Sequence, residues 1–287
     1  MKAIIAYLSR STDDNIRQML RSIRLLEKNF LPWSPADIII FHESGFDKSL
    51  IERETGCKTS AGSIRFAQVD FSANHPGLEN LAKGQRGYRH MCHFFANDVF
   101  SRQELAKYDY YMRLDVDSYL LSKVRYNIFE RMSQRGWRYV YRMEMNEREY
   151  VANGLLDVTR AFFVANPALN IAKPSIRRVG LYYTNFEICD LAFFRDTPWQ
   201  RFFAAIDAAG GIWRCRWGDA PIRWLGLKHL LRPCEIYCIR QLSYFHQFRL
   251  RSGFACRLPL EYLRYAALVM GIKLHLPVPD GVNGRLC

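Results

Sequence analysis

The residues best suited to chemistry lie in YDYYMRLDVDSYL, Tyr108 to Leu120. Tyr110, Met112 and Leu114 alternate with Tyr111 and Arg113, the period of a strand, and Asp115 and Asp117 follow. Two carboxylates two residues apart project to the same side of an extended chain, or converge where the strand breaks into a turn. Hard divalent cations take such oxygen ligands, above all where a substrate's phosphates complete the shell. Asp is also a favoured turn residue, so the pair reads as solvated loop carboxylates too.

Other reactive side chains surround this stretch in the sequence. Glu187, in NFEICDLAFF, and Asp219, in RWGDAPI, are expected at loop or element ends beside aromatics, where a carboxylate's pKa shifts and catalytic acids sit. The plain alternative is that Glu187 caps a helix or pairs with an Arg, and that Asp219 is an N-cap. His246, in SYFHQF, is either an ordinary packed histidine or a third ligand for the carboxylate pair. Arg86, Tyr88, Arg89 and His90 crowd the start of a helix predicted to open at Arg86. A helix start offers oriented backbone N–H groups to phosphate; the plain alternative is a solvated basic turn.

The elements that must position these groups begin with a β-α-β unit. An apolar strand over Lys2 to Leu8 leads to a helix over Asn15 to Asn29, with Ile16, Met19, Leu20, Ile23 and Leu26 at helical spacing, and a β-branched strand over Ala36 to Phe41 follows. In sheets of this kind ligands bind outside the carboxyl ends of the strands. Further helices are predicted over Phe46 to Gly56, from Arg86 to Phe100, over Asn127 to Gln134, from Thr197 to a stop at Gly210-Gly211, and over Ile222 to Leu231. Strands are predicted over Ser63 to Asp70, Trp137 to Met143 and Glu235 to Arg240. Ser72 to Gly87 and Pro167 to Gly180 read as loops, and Asn146 to Arg160 as a polar helix or excursion. Leu260 to Ile272 reads as an apolar helix, packed on the core or lying on a membrane surface.

Composition narrows the class. The chain has 287 residues, is 49% hydrophobic and carries a net charge of +13, which excludes a disordered chain and suits anionic partners. Its basic residues form no long block, so no nucleic acid is expected; a nucleotide or an anionic membrane surface fits better. Eight cysteines without a Cys-x-x-Cys pair read as reduced thiols, and Cys234, Cys238, His246 and Cys256 match no trusted zinc spacing. The opening apolar run is too short for a signal peptide, and no stretch reaches the roughly 20 residues of a spanning helix. A cytoplasmic protein, with peripheral contact to anionic membrane allowed, is the expectation.

Five blocks in order, GYRHMCHFF, YDYYMRLDVD, NFEICDLAFFR, AAGGIWRCRWGDAPI and SYFHQF, resemble those of the fungal α-1,2-mannosyltransferases of glycosyltransferase family 15, over about residues 3 to 250. The resemblance implies a GT-A fold, a Rossmann-like mixed sheet flanked by helices in one domain over residues 1–250. Residues 251–287 would form a basic extension. It implies retaining transfer of mannose from GDP-mannose to a glycan or glycolipid, with Mn²⁺ held by Asp115, Asp117 and His246. Tyr88, with Arg86 and Arg89 near it, would contact the donor diphosphate, Glu187 would act at the anomeric carbon, and Asp219 would lie in the acceptor region. The sequence also departs from the family: the usual Glu-Pro-Asp is Asp115-Val116-Asp117, a common Arg is His93, and Gln247 and Phe248 replace prolines, which bears on donor identity and acceptor specificity. The fungal members carry an N-terminal anchor, whereas this chain opens on the first strand, as an unanchored relative would. The alternatives from other classes are a noncatalytic sugar-nucleotide or glycan-binding protein on the same fold, and a basic peripheral membrane or nucleic-acid binder.

Overall fold

A computed structural model describes residues 1–247 of the chain; the predicted Leu260–Ile272 helix, Phe248 and Cys256 lie outside the described residues. The predicted β-α-β opening is present as β1 (Ala3–Ser9), α1 (Asp13–Asn29) and β2 (Asp37–His42), with Thr12 capping α1 by accepting from the Asn15 N–H. Next come α2 (Ser49–Thr55), shorter than predicted, and the hairpin β3 (Lys58–Thr59) and β4 (Gly62–Gln68). Then follow α3 (Lys83–His93), a π-helical turn over Phe94–Asp98 and α4 (Val99–Ser101). The central segment holds β5 (Tyr110–Leu114), β6 (Ser118–Leu120), α5 (Ile128–Arg135), β7 (Tyr139–Tyr141), β8 (Glu144–Asn146) and α6 (Leu155–Ala165). The polar stretch after Asn146 thus becomes helix only from Leu155. The last segment holds β9 (Gly180–Tyr182), β10 (Phe186–Asp190), α7 (Leu191–Arg195), α8 (Thr197–Ala208), α9 (Gly211–Cys215), α10 (Asp219–Leu230), β11 (Ile236–Cys238) and β12 (Tyr244–His246). Helix α8 stops where expected, with Gly210 left-handed at φ 65°.

Eight strands form one mixed sheet in the order β11-β7-β10-β5-β1-β2-β4-β3. Strands β5, β1, β2 and β4 run parallel, whereas β10 is antiparallel to both its neighbours, β5 and β7. The carboxyl end of β5 therefore meets the amino end of β10, so Asp115 and Asn185 share one edge, joined by the Asp115 N–H on the Asn185 carbonyl at 3.3 Å.

Alternation along β5 sorts its side chains between two cores. Tyr110, Met112 and Leu114 face a core under α1 and α5, with Ile16, Met19, Ile23, Phe129 and Met132. Tyr111 faces the larger core, which α3, the π-helical turn, α6, α8 and α10 build. Arg113 has Tyr111's parity and stacks 3.6 Å over the Phe95 ring. No helix among the described residues is long and apolar enough to cross a membrane.

Candidate metal and donor site

The two aspartates turn out of β5 into a short turn, with the Ser118 N–H on the Asp115 carbonyl at 3.0 Å. The next strand, β6, pairs antiparallel with β12, which sets His246 opposite Ser118. That ribbon is what carries a histidine from the far end of the described chain onto the pair. Its Nε2 lies 3.0 Å from Asp117 Oδ1 and 3.5 Å from Asp115 Oδ2. Buried though it is, Nε2 has no aligned hydrogen-bond partner, which suits an atom whose partner is a cation. Asp115, Asp117 and His246 each offer a ligand atom, all within 4.8 Å of one another. Two carboxylates and an imidazole fit Mn²⁺ or a similar divalent ion. Nδ1 of the ring lies 3.2 Å from the Tyr183 hydroxyl, which fixes the ring's orientation and leaves Nε2 for the ligand position. Burial alone would lower the pKa of His246, but the two carboxylates raise it to about 9.

Behind this cluster lies a network that sequence reading missed. Arg113 donates through Nε and Nη2 to Asp115 Oδ1 at 3.2 and 3.0 Å, and through Nη1 to Asp219 Oδ2 at 2.6 Å. Burial pushes the Asp115 carboxyl up, and Arg113 and His246 more than reverse it, holding it far below the usual carboxylate range. Asp219 is the first residue of α10, not its N-cap, a place taken by Gly218, and its carboxylate instead accepts from Arg113 and from Thr184 Oγ1 at 2.7 Å.

Glu187 is not at an element end: it lies inside β10, in register with Arg113 and Tyr141, and is fully buried. As the plain alternative expected, it pairs with an arginine, Arg223 of α10, at 3.2 Å. Arg223 is also fully buried, packed 4.6 Å from the Phe100 and Phe194 rings, and donates to the Phe95 and Ala96 carbonyls of the π-helical turn. Glu187 Oε2 accepts from Tyr139 at 2.8 Å and from Arg223 Nε; Oε1 has only the 3.5 Å contact with Nη2. Burial raises the Glu187 pKa against the opposing pull of Arg223 and Arg113. A cation inside an otherwise apolar strand or helix was the signal for both arginines, because such a charge requires a buried anion.

One further expectation needs correction. Helix α3 begins at Lys83, not Arg86, so Arg86, Tyr88 and Arg89 stand inside it and its N-terminus does not serve them. Arg86 donates to the Leu81 and Glu79 carbonyls, tying down the preceding loop. Tyr88 and Arg89 do line a pocket, with Gly84, Gln85 and Arg216. Arg89 is 8% exposed, its Nη1 is buried without an acceptor, and Arg216 lies 4.8 Å over the Tyr88 ring. His93, the departure from the family's Arg, bridges Asp98 and Asp207 and stacks on Trp213.

Comparison with known proteins gives the chain its family. The chain is 29% identical to the probable mannosyltransferase YUR1 of Saccharomyces cerevisiae, over 85% of this chain and 65% of that protein. It is 25% identical to glycolipid 2-alpha-mannosyltransferase 1 of Candida albicans, over 86% and 62%. It thus spans a little under two thirds of the length of these curated relatives. Among solved structures it shares its fold with core-mannan synthase A of Aspergillus fumigatus in an Mn/GDP form (TM-score 0.74, 22% identity, 86% of this chain and 74% of that one). It does so too with the S. cerevisiae mannosyltransferase Ktr4p in complex with GDP (TM-score 0.76, 20% identity, 86% and 71%). The model of the glycolipid 2-alpha-mannosyltransferase family matches residues 1–254, and the chain belongs to that family, glycosyltransferase family 15, with its GT-A-type mixed sheet.

Proposed function

We propose that this chain is a metal-dependent, retaining glycosyltransferase that transfers mannose from GDP-mannose to a glycan or glycolipid acceptor. The observation that carries the reading is the convergence of Asp115, Asp117 and His246 at the carboxyl end of β5, the strand next to the one that holds Glu187. A divalent ion on those three residues would offset the charge of the departing diphosphate. Tyr88 and Arg89, with Arg216 joining them, would meet the diphosphate in the pocket they line, and Arg86 would steady that pocket from the loop. Glu187 would present Oε1 to the anomeric carbon, as nucleophile or as counter-charge to an oxocarbenium-like transition state. Asp219, held by Arg113 and Thr184, would face the acceptor. Residues 1–250 would form the catalytic unit.

The test is a screen of GDP-, UDP- and CDP-sugars for Mn²⁺-dependent transfer or hydrolysis, with Glu187→Gln and Asp115→Asn alongside. Turnover with GDP-mannose that collapses in both variants is expected. No turnover of any sugar nucleotide with metal present would remove the enzyme reading, whereas full activity in both variants would remove the residue roles.

A further inference from the structure

Most buried polar side chains around Glu187 and Asp219 find partners within the protein. Asn185 does not. It is 4% exposed, yet both Nδ2 and Oδ1 of its carboxamide lack any hydrogen-bond partner. Leaving both halves of a buried amide empty costs several kcal/mol in general, so such a group calls for a ligand or a water. Its backbone is firmly held: the Asn185 carbonyl accepts from the Asp115 N–H, from Ser118 Oγ at 3.0 Å and from Tyr244 Oη at 3.0 Å. The backbone is thus fixed in place while the polar atoms of the side chain are unused.

Its position says what would use them. Asn185 lies in the turn directly before β10, two residues from Glu187. Its carbonyl meets Asp115, a metal ligand of the proposed site, and its neighbour Thr184 donates to Asp219. Asn185 thus joins the metal end to the Glu187 end, and the transferred hexose must lie between those ends if the diphosphate is at the first and the anomeric carbon at the second. An amide offers one acceptor and an adjacent donor, the complement of two neighbouring hydroxyls.

We propose that the Asn185 carboxamide binds two adjacent hydroxyls of the transferred hexose and is a determinant of donor-sugar choice. The inference rests on the transferase reading above, and the experiment separates the two. First, Mn²⁺-dependent affinities of GDP and of the GDP-hexose are measured for the wild type; absence of both removes the transferase reading and this one with it. Second, kcat/KM is measured for donors each lacking one hexose hydroxyl, on the wild type, Asn185→Leu and Asn185→Ala, with melting curves to confirm folding and GDP affinity as the reference. In the wild type two deoxy donors should lose tenfold or more, because a site built to bind a hydroxyl rejects an analogue without it. In either variant the same donors should lose less than twofold relative to the full donor, with GDP affinity unchanged. If deoxygenation costs the variants as much as the wild type, or if GDP affinity falls in step with donor affinity, Asn185 serves a buried water or the loop alone and the proposal is overturned.

Discussion

Among the described residues two clusters have the same composition, one histidine with two aspartates, and one of them has the geometry of a metal site. At His246 a single ring nitrogen faces both carboxylates, 3.0 Å from Asp117 and 3.5 Å from Asp115, while Tyr183 occupies the other nitrogen. At His93 the carboxylates take opposite sides of the ring, Asp98 on Nδ1 at 2.8 Å and Asp207 on Nε2 at 3.0 Å. The first arrangement has a common focus that a cation can fill. The second has none and is complete with a protonated imidazole, which ties the end of α3 and the π-helical turn to α8. Both histidines reach a pKa of about 9, so the titration does not tell a ligand from a strut. The direction of the ring nitrogens does.

The sharpest way to break this contrast is Asp117→Asn. Removing a charge from the shared focus should lower Mn²⁺-dependent transfer by on the order of 10³-fold, the scale seen when one group that stabilises developing charge is lost. A loss below tenfold would mean that the focus is not where the metal acts. Next in size, Mn²⁺ at 100 times its Kd should stabilise the wild type by about 2.7 kcal/mol, read as a rise in Tm. The rise should vanish in Asp117→Asn and survive in His93→Gln; the reverse pattern would exchange the roles of the two clusters.

The sequence made half of this contrast visible. Asp115 and Asp117 stand out because they end an alternating strand, and the opening β-α-β unit stands out because β1 and β2 are continuous apolar runs. His246 drew attention only as a lone histidine and through the resemblance, because β6 and β12 are three residues each, too short to show alternation or to announce their pairing. The start of α3 was hidden for a local reason: its N-cap is Ala82, which has no capping side chain, and only Gln85 reaching back to the Ala82 N–H marks the boundary. Arg113 and Arg223 were legible in type but not in partner. An arginine in a buried segment signals a buried acid, yet which acid it meets is decided by the packing of α10 on the sheet, which brings Asp219 to Arg113 and Arg223 to Glu187 of β10.

The remaining predictions concern the strut. His93→Gln should cost about 1 to 2 kcal/mol in urea denaturation, since it removes a charge-assisted pair whose carboxylates are half exposed and partly screened. Affinity for Mn²⁺ should not change; a weaker Mn²⁺ affinity in this variant would join the two clusters functionally. The smallest effect is the pH dependence of that contribution. Burial alone would lower the pKa of His93, but Asp207 and Asp98 outweigh it and raise it from the ordinary 6.5 to about 9. A raised pKa means that the folded chain holds the proton more tightly than the unfolded chain. The stabilisation is therefore complete below about pH 6.5 and is lost as pH climbs through about 9. Over that window the wild type should lose about 1 kcal/mol more than His93→Gln, a figure already reduced for solvent screening at the exposed aspartates. Parallel stability curves for the two proteins from pH 6.5 to 9.5 would show that the His93 bridge contributes no proton-linked stability.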